Sequence, residues 1–208
     1  MIIYDGYKND FLHSVENDTI AIQIQENIYR KMGRRTPPSE FRSWRESMKY
    51  MYLVMNDEDI PTNSGVAIEY NIPQSAKRVD FMISGYDKDN KPGMVIIELK
   101  QWETLNKVED TDALVNTFTG GRQQNVVHPS YQAWLRVPQL RKWSSFPSSD
   151  VMVLMVILHG LMIFWKSERQ RIFRWMDSIM ISTSAARQKN CKDVLLKRIM
   201  KTTLRQEF

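Results

Sequence analysis

The sequence predicts an α/β domain with a mixed central sheet flanked by helices, and three observations carry that expectation. Two early segments repeat their apolar residues at helical spacing. Three successive runs between residues 65 and 100 read as strands. After a helix-start signal near residue 128, a last apolar run extends from Val151 to Leu158. Helices, three strands, a helix and a strand bury their apolar faces by packing in layers.

The first helix is marked by Ile20, Ile24, Ile28 and Met32, which follow Asn17-Asp18-Thr19 and end at Gly33, a stop signal. A second is expected from near Ser43, where Glu46 completes a capping-box pattern. Phe41, Trp44, Met48, Met51, Tyr52 and Met55 run down one side of it as core. From Gly65 the pattern turns to β: Val66 to Asn71, Arg78 to Tyr86 and Met94 to Leu99. Asp87 to Asn90 with Pro92-Gly93 is turn chemistry, so the second and third runs should pair as an antiparallel hairpin. Gly120-Gly121 reads as a loop. His128-Pro129-Ser130 opens a helix to about Trp143, shortened or kinked at Pro138.

At 208 residues the chain is long enough for one domain with its own core. One cysteine, Cys191, excludes an internal disulfide framework, and the N-terminus lacks the pattern of a signal peptide; a reducing cytoplasm is the expected setting. The apolar stretch Val151 to Trp165 is shorter than the roughly 20 residues of a membrane span and is interrupted by His159 and Gly160. The net charge of +5 is uneven: residues 1 to 150 hold 18 Lys+Arg and 20 Asp+Glu (18 − 20 = −2), residues 151 to 208 hold 11 and 4 (11 − 4 = +7). The basic excess therefore says nothing of a groove near the strands, where phosphate contacts would fall to Lys77, Arg78 and Arg122.

The chemistry concentrates at the end of the third run. Period-two geometry sends Glu98 and Lys100 to one face, and the paired run places Asp80 in an apolar stretch where a lone carboxylate is costly to bury. Two carboxylates on one hairpin suit Mg²⁺ or Mn²⁺, and Lys100 would orient and help deprotonate a metal-bound water for attack on a phosphate. A structural ion pair between Asp80 and Lys100 would satisfy the same residues.

Four segments, Gly65 to Pro73, Ser75 to Asp87, Val95 to Glu103 and Val127 to Trp134, resemble a bacterial family. The chain looks like the N-terminal PD-(D/E)xK (restriction-endonuclease-like) region of the DUF2075 proteins, which precedes a Schlafen-type P-loop ATPase/helicase domain. The resemblance covers about residues 1 to 143 and is most specific at Lys-Arg-Val-Asp-Phe and Ile-Ile-Glu-Leu-Lys-Gln-Trp. It implies metal-dependent hydrolysis of DNA or RNA, with Asp80 and Glu98 as metal ligands and Lys100 serving the water. Similarity to related nuclease domains adds Gln101, Tyr131 and Gln132 as residues lining the site. Glu69 is a candidate extra ligand or a solvated strand residue; Glu26 reads as surface. No Gly-x-x-x-x-Gly-Lys-Ser/Thr motif occurs in these residues, so the implied ATPase partner is not among them.

After Trp143 the resemblance fades. A neighbouring frame through Phe164 to Gln170 can be back-translated as Leu-Glu-Glu-Arg-Ala, leaving two readings of residues 151 to 208: a frame change near Asp150, or a native divergent tail whose first run completes the sheet. His128 before Pro129 reads as a capping or packing residue, and Arg122 beside Gly120-Gly121 as a candidate phosphate contact or plain loop. Three functions compete: a nuclease, a nucleic-acid-binding or structural module without turnover, and a truncated nonfunctional fragment.

Overall fold

A computed structural model describes residues 1–58, 60–86, 92–102, 106–111, 113–136, 151–157 and 162–166. In chain order the elements are β1 (Ile2–Tyr7), α1 (Lys8–Glu16), α2 (Ile20–Met32), α3 (Pro38–Met55), β2 (Gly65–Asn71), β3 (Arg78–Tyr86) and β4 (Pro92–Lys100). They continue with β5 (Asn106–Lys107), β6 (Leu114–Thr119), β7 (Arg122–Val127), α4 (Pro129–Trp134), β8 (Val151–Ile157) and β9 (Met162–Lys166). The protein is α/β, with a six-stranded sheet in the order β1-β2-β3-β4-β8-β9 and a three-stranded sheet β5-β6-β7. β4 and β8 are parallel and the other paired neighbours antiparallel, so the larger sheet is mixed.

Helix α2 forms where the isoleucine spacing puts it. Ile20, Ile24 and Ile28 are buried, and Gly33 ends the helix in the left-handed region at φ 64°. Met32 is exposed instead of completing the stripe. α3 begins at Pro38, five residues before the expected start, because proline is well placed in a first turn, where its missing N–H costs nothing. Ser43 is thus inside the helix, and Glu46 pairs with Lys49 at 2.8 Å rather than closing a capping box. Trp44, Met48, Met51 and Met55 are buried as the stripe implies.

β1 and α1 precede the elements expected from sequence. Tyr7 N–H donates to Asp10 Oδ2 at 2.9 Å at the start of α1, and Phe11 packs edge-on against Phe81 with ring centroids 5.3 Å apart. Gly120 and Gly121, both at positive φ (61° and 80°), are the two-residue turn of the β6–β7 hairpin, not a plain loop. α4 ends at Trp134 and a turn follows at Leu135 and Arg136, short of the expected end; the rest of the expected extension and Pro138 lie outside the described residues, as do Leu158, His159 and Cys191. β8 is the anticipated fourth strand, and β9 adds another that was not anticipated. Among the described residues no helix is long and apolar enough to cross a membrane.

Core residues sort by sheet face. Val66, Ile68, Phe81, Ile83, Val95 and Ile97, with Leu99, join the cluster beneath α1, α2 and α3. Ala67, Tyr70, Ile72, Val79, Met82, Met94 and Ile96 form a second cluster. On β2, Ile68 and Tyr70 are two residues apart yet belong to different clusters, and so are Val79 and Phe81 on β3. Strict alternation would keep each pair on one face. The change of face falls at Glu69, in the left-handed region at φ 54°, and at Asp80, which the flanking pairs Ile68↔Phe81 and Tyr70↔Val79 place opposite it.

Candidate functional site

The change of face brings polar groups to one end of the sheet. Asp80, 17% exposed, accepts the Leu99 N–H at 3.0 Å through Oδ2, and Arg78 Nε stands 4.0 Å from Oδ1. Leu99 lies between Glu98 and Lys100, so the aspartate is fastened to the backbone of the very segment it was expected to meet. Alternation along β4 sends Glu98 and Lys100 to the side of Ile96, and Leu99 and Gln101 toward α3. The same-face expectation for Glu98 and Lys100 holds: Lys100 Nζ donates to Glu98 Oε1 at 2.7 Å. Lys100 therefore pairs with Glu98, not with Asp80 as the structural alternative supposed.

Glu98 is 1% exposed, and its other oxygen faces the guanidinium of Arg136, just past α4. Burial pulls the Lys100 ammonium below the ordinary lysine range, against the pull of Asp80 and with the repulsion of Arg78. Burial likewise lowers Arg136, opposed by Asp80.

On the α3 side, Asp80 lines a pocket of about 340 Å³ with Glu40, Ser43, Trp44, Ser47, Glu69 and Arg78 among its walls. Glu69 is no solvated strand residue: it is 4% exposed, accepts Trp44 Nε1–H at 2.8 Å and meets Arg78 Nη1 at 3.0 Å. Burial pushes its carboxyl up to about 7, with Arg78 and Trp44 pulling the other way. Arg78 also bonds Glu40 at 3.0 Å, and Arg34 forks onto both Glu40 oxygens at 2.7 and 3.2 Å. Burial opposes the charge on Arg78, but Glu69, Glu40 and Asp80 together hold its guanidinium above its usual value. Burial would raise Glu40, yet its two arginines hold it below the usual carboxylate range. Arg78 is thus bound up with carboxylates, whereas the sequence offered it as a phosphate contact.

Gln101 is anchored to α3 through Ser43 O and Ser47 Oγ, both at 3.0 Å. Gln132 donates to Val127 O at 3.2 Å, and Tyr131 stacks edge-on with His128 at 6.5 Å. His128 is buried, and its carbonyl accepts the first amides of α4, which matches the capping and packing role. Arg122 is exposed on the β6–β7 hairpin of the other sheet, Lys77 is exposed beside Arg78, and Glu26 is exposed on α2.

Sequence reasoning missed Arg136, Glu40 and Arg34, whose recruitment depends on tertiary packing, and took Trp44 for core alone. A donor in a methionine-rich stripe facing a carboxylate on a strand was the available signal.

Asp80 and Glu98 offer the hard oxygens that Mg²⁺ and Mn²⁺ prefer, but different partners hold each of them, and two cations already face Glu98. Among the described residues no group of three or more His, Cys, Asp or Glu side chains is arranged to hold a metal ion. The donor chemistry fits a divalent cation; the observed pairing fits one only when Arg136 withdraws from Glu98.

Comparison of the chain with family models, with curated proteins and with solved structures gives no match.

Proposed function

We propose that the chain is a nuclease-like domain of the PD-(D/E)xK kind, hydrolysing phosphodiester bonds in DNA or RNA with Mg²⁺ or Mn²⁺ as the front end of a larger ATPase/helicase protein. The observation that carries this reading is the Glu98–Lys100 pair on one face of β4, its carboxylate buried, with Asp80 bonded to the amide between them. The succession α3, β2, β3, β4, then α4 and β8 after the inserted β5–β7 sheet, with β8 parallel to β4, supports the same core.

Asp80 and Glu98 would hold the cation, which when bound supplies Lewis acidity and a water of lowered pKa. Lys100, its charge disfavoured by burial, would give up a proton at Nζ more readily than an exposed lysine. Gln101, fixed to α3, sets the end of β4 relative to that helix. The test is cleavage of labelled single- and double-stranded DNA and RNA with Mn²⁺ or Mg²⁺, beside Asp80→Asn and Lys100→Ala. Metal-dependent cutting that both substitutions abolish upholds the reading. Activity that survives both in a folded protein sinks it.

A binding module without turnover is favoured by a different observation: Arg34, Arg78, Lys100 and Arg136 each already face a carboxylate. Such a module binds nucleic acid with salt sensitivity and without need of Asp80.

A further inference from the structure

Arg34, Lys77, Arg78 and Arg136 line a second pocket of about 450 Å³, adjoining the Asp80 pocket and sharing Glu69 and Arg78 with it. Four cationic side chains from α2–α3, the β2–β3 turn and the end of α4 thus converge on one space in which Glu69 is the lining carboxylate. That carboxylate is engaged by Trp44 and Arg78. Arg136 is only 13% exposed, and its Nε has no hydrogen-bond partner among the described residues. A buried guanidinium N–H without an acceptor is costly, and an anion that supplied one would relieve it. Arginine has five N–H donors; the contacts of Arg34 to Glu40 use Nη1 and Nη2, and those of Arg78 to Glu40 and Glu69 use Nη1.

We infer that this pocket is a subsite for the terminal phosphate of a nucleic-acid strand. Its lining also includes Ile3 and Ile28, both buried, and Met32, which is exposed. A phosphomonoester carries nearly two charges near neutral pH and three acceptor oxygens, so it engages Lys77 and the N–H donors that Glu40, Glu69 and Glu98 leave unused better than an internal diester with one charge. Because the pocket adjoins Asp80, a strand end seated there presents its first linkages to the candidate site. This inference rests on the nuclease reading for its placement, but not for its measurement.

The experiment is binding of three oligonucleotides of one sequence, 5′-phosphorylated, 3′-phosphorylated and unphosphorylated, to the full chain in EDTA, with inorganic phosphate as competitor. One phosphorylated end should bind at least about tenfold more tightly than the unphosphorylated strand, and that end names the polarity; inorganic phosphate should erase the difference. Lys77→Ala, on an exposed residue, and Arg136→Gln should each reduce the preference several-fold. Equal affinity for all three strands, or a preference untouched by both substitutions in protein of unchanged circular dichroism, overturns the subsite. A terminal preference without cleavage in metal sinks the nuclease reading alone, and cleavage without a terminal preference sinks the subsite alone.

Discussion

Trp44 Nε1 donates a 2.8 Å hydrogen bond to Glu69 Oε1, fastening the middle of α3 to the residue at which β2 changes face. The bond is buried, and it joins two residues that neither helical nor strand periodicity connects. It holds Glu69 inward, where Arg78 reaches it, and through Arg78 the contact extends to Glu40 and Asp80.

Glu69 should set a pH dependence of stability. Its carboxyl is raised from 4.5 to about 7, so between those values the folded state binds more protons than the unfolded one. The contribution is fully present below about pH 4.5 and is lost as pH rises through about 7, on the order of 3 kcal/mol in all. Glu69→Gln should remove that fall from urea-denaturation free energies measured between pH 4.5 and 8. An unchanged slope would show that Glu69 does not titrate as its burial implies.

Trp44→Phe keeps the ring's apolar contacts but deletes the donor to Glu69. The buried bond is to a group that ionises near neutrality, so the loss should be about 1–3 kcal/mol at pH 8 and smaller at pH 5. The two-pH comparison by urea denaturation is the check, and equal losses would contradict it.

Lys8 is 5% exposed, and its Nζ donates to Asp57 O at 2.7 Å and Ile60 O at 2.8 Å, clasping the segment between α3 and β2. Burial lowers its pKa, with Asp57 and Glu58 pulling it back up. Lys8→Met should cost about 2–3 kcal/mol, because two carbonyls lose a charged donor, and should open residues 56–64 to protease. A midpoint shift worth less than about 0.5 kcal/mol would make the clasp incidental.

Gly65 pairs with Ser84 across β2 and β3, and a Cβ on Gly65 would stand 2.5 Å from Ser84 Oγ. Gly65→Ala should therefore destabilise by about 1–3 kcal/mol, and adding Ser84→Ala should recover most of it. Additive effects in thermal melts would place the strain elsewhere.

The periodic parts of the fold were legible: Ile20, Ile24 and Ile28 with Gly33, the β3–β4 hairpin, and Val151–Ile157 as a strand. β1 and α1 were not, since α1 buries only Lys8, Phe11 and Ser14 and shows little apolar repeat. The β5–β7 sheet was hidden by its Asn, Gln and Thr content, which reads as loop until Gly120-Gly121 is recognised as a hairpin turn. At the site, Glu98 with Lys100 followed from alternation. The setting of Asp80 and Glu69 did not, because both sit where alternation breaks. Arg136 comes from a segment with no periodic link to β4, and only tertiary packing shows its pairing.

The parallel pairing of β4 with β8 has a consequence for biosynthesis. Met94 meets Val151, so the partner of β4 lies 151 − 94 = 57 residues downstream. The β2–β3–β4 meander can close through short turns, whereas β4 keeps one flank bare until residues 151–157 have left the ribosome. Val95, Ile96 and Ile97 are fully buried once that flank is filled. A nascent chain halted near residue 150 would present them beside an unpaired row of amides and carbonyls, the configuration that recruits a neighbouring chain's strand. The strand that carries Glu98 and Lys100 is thus also the one whose solubility during synthesis waits on β8, made more than fifty residues later.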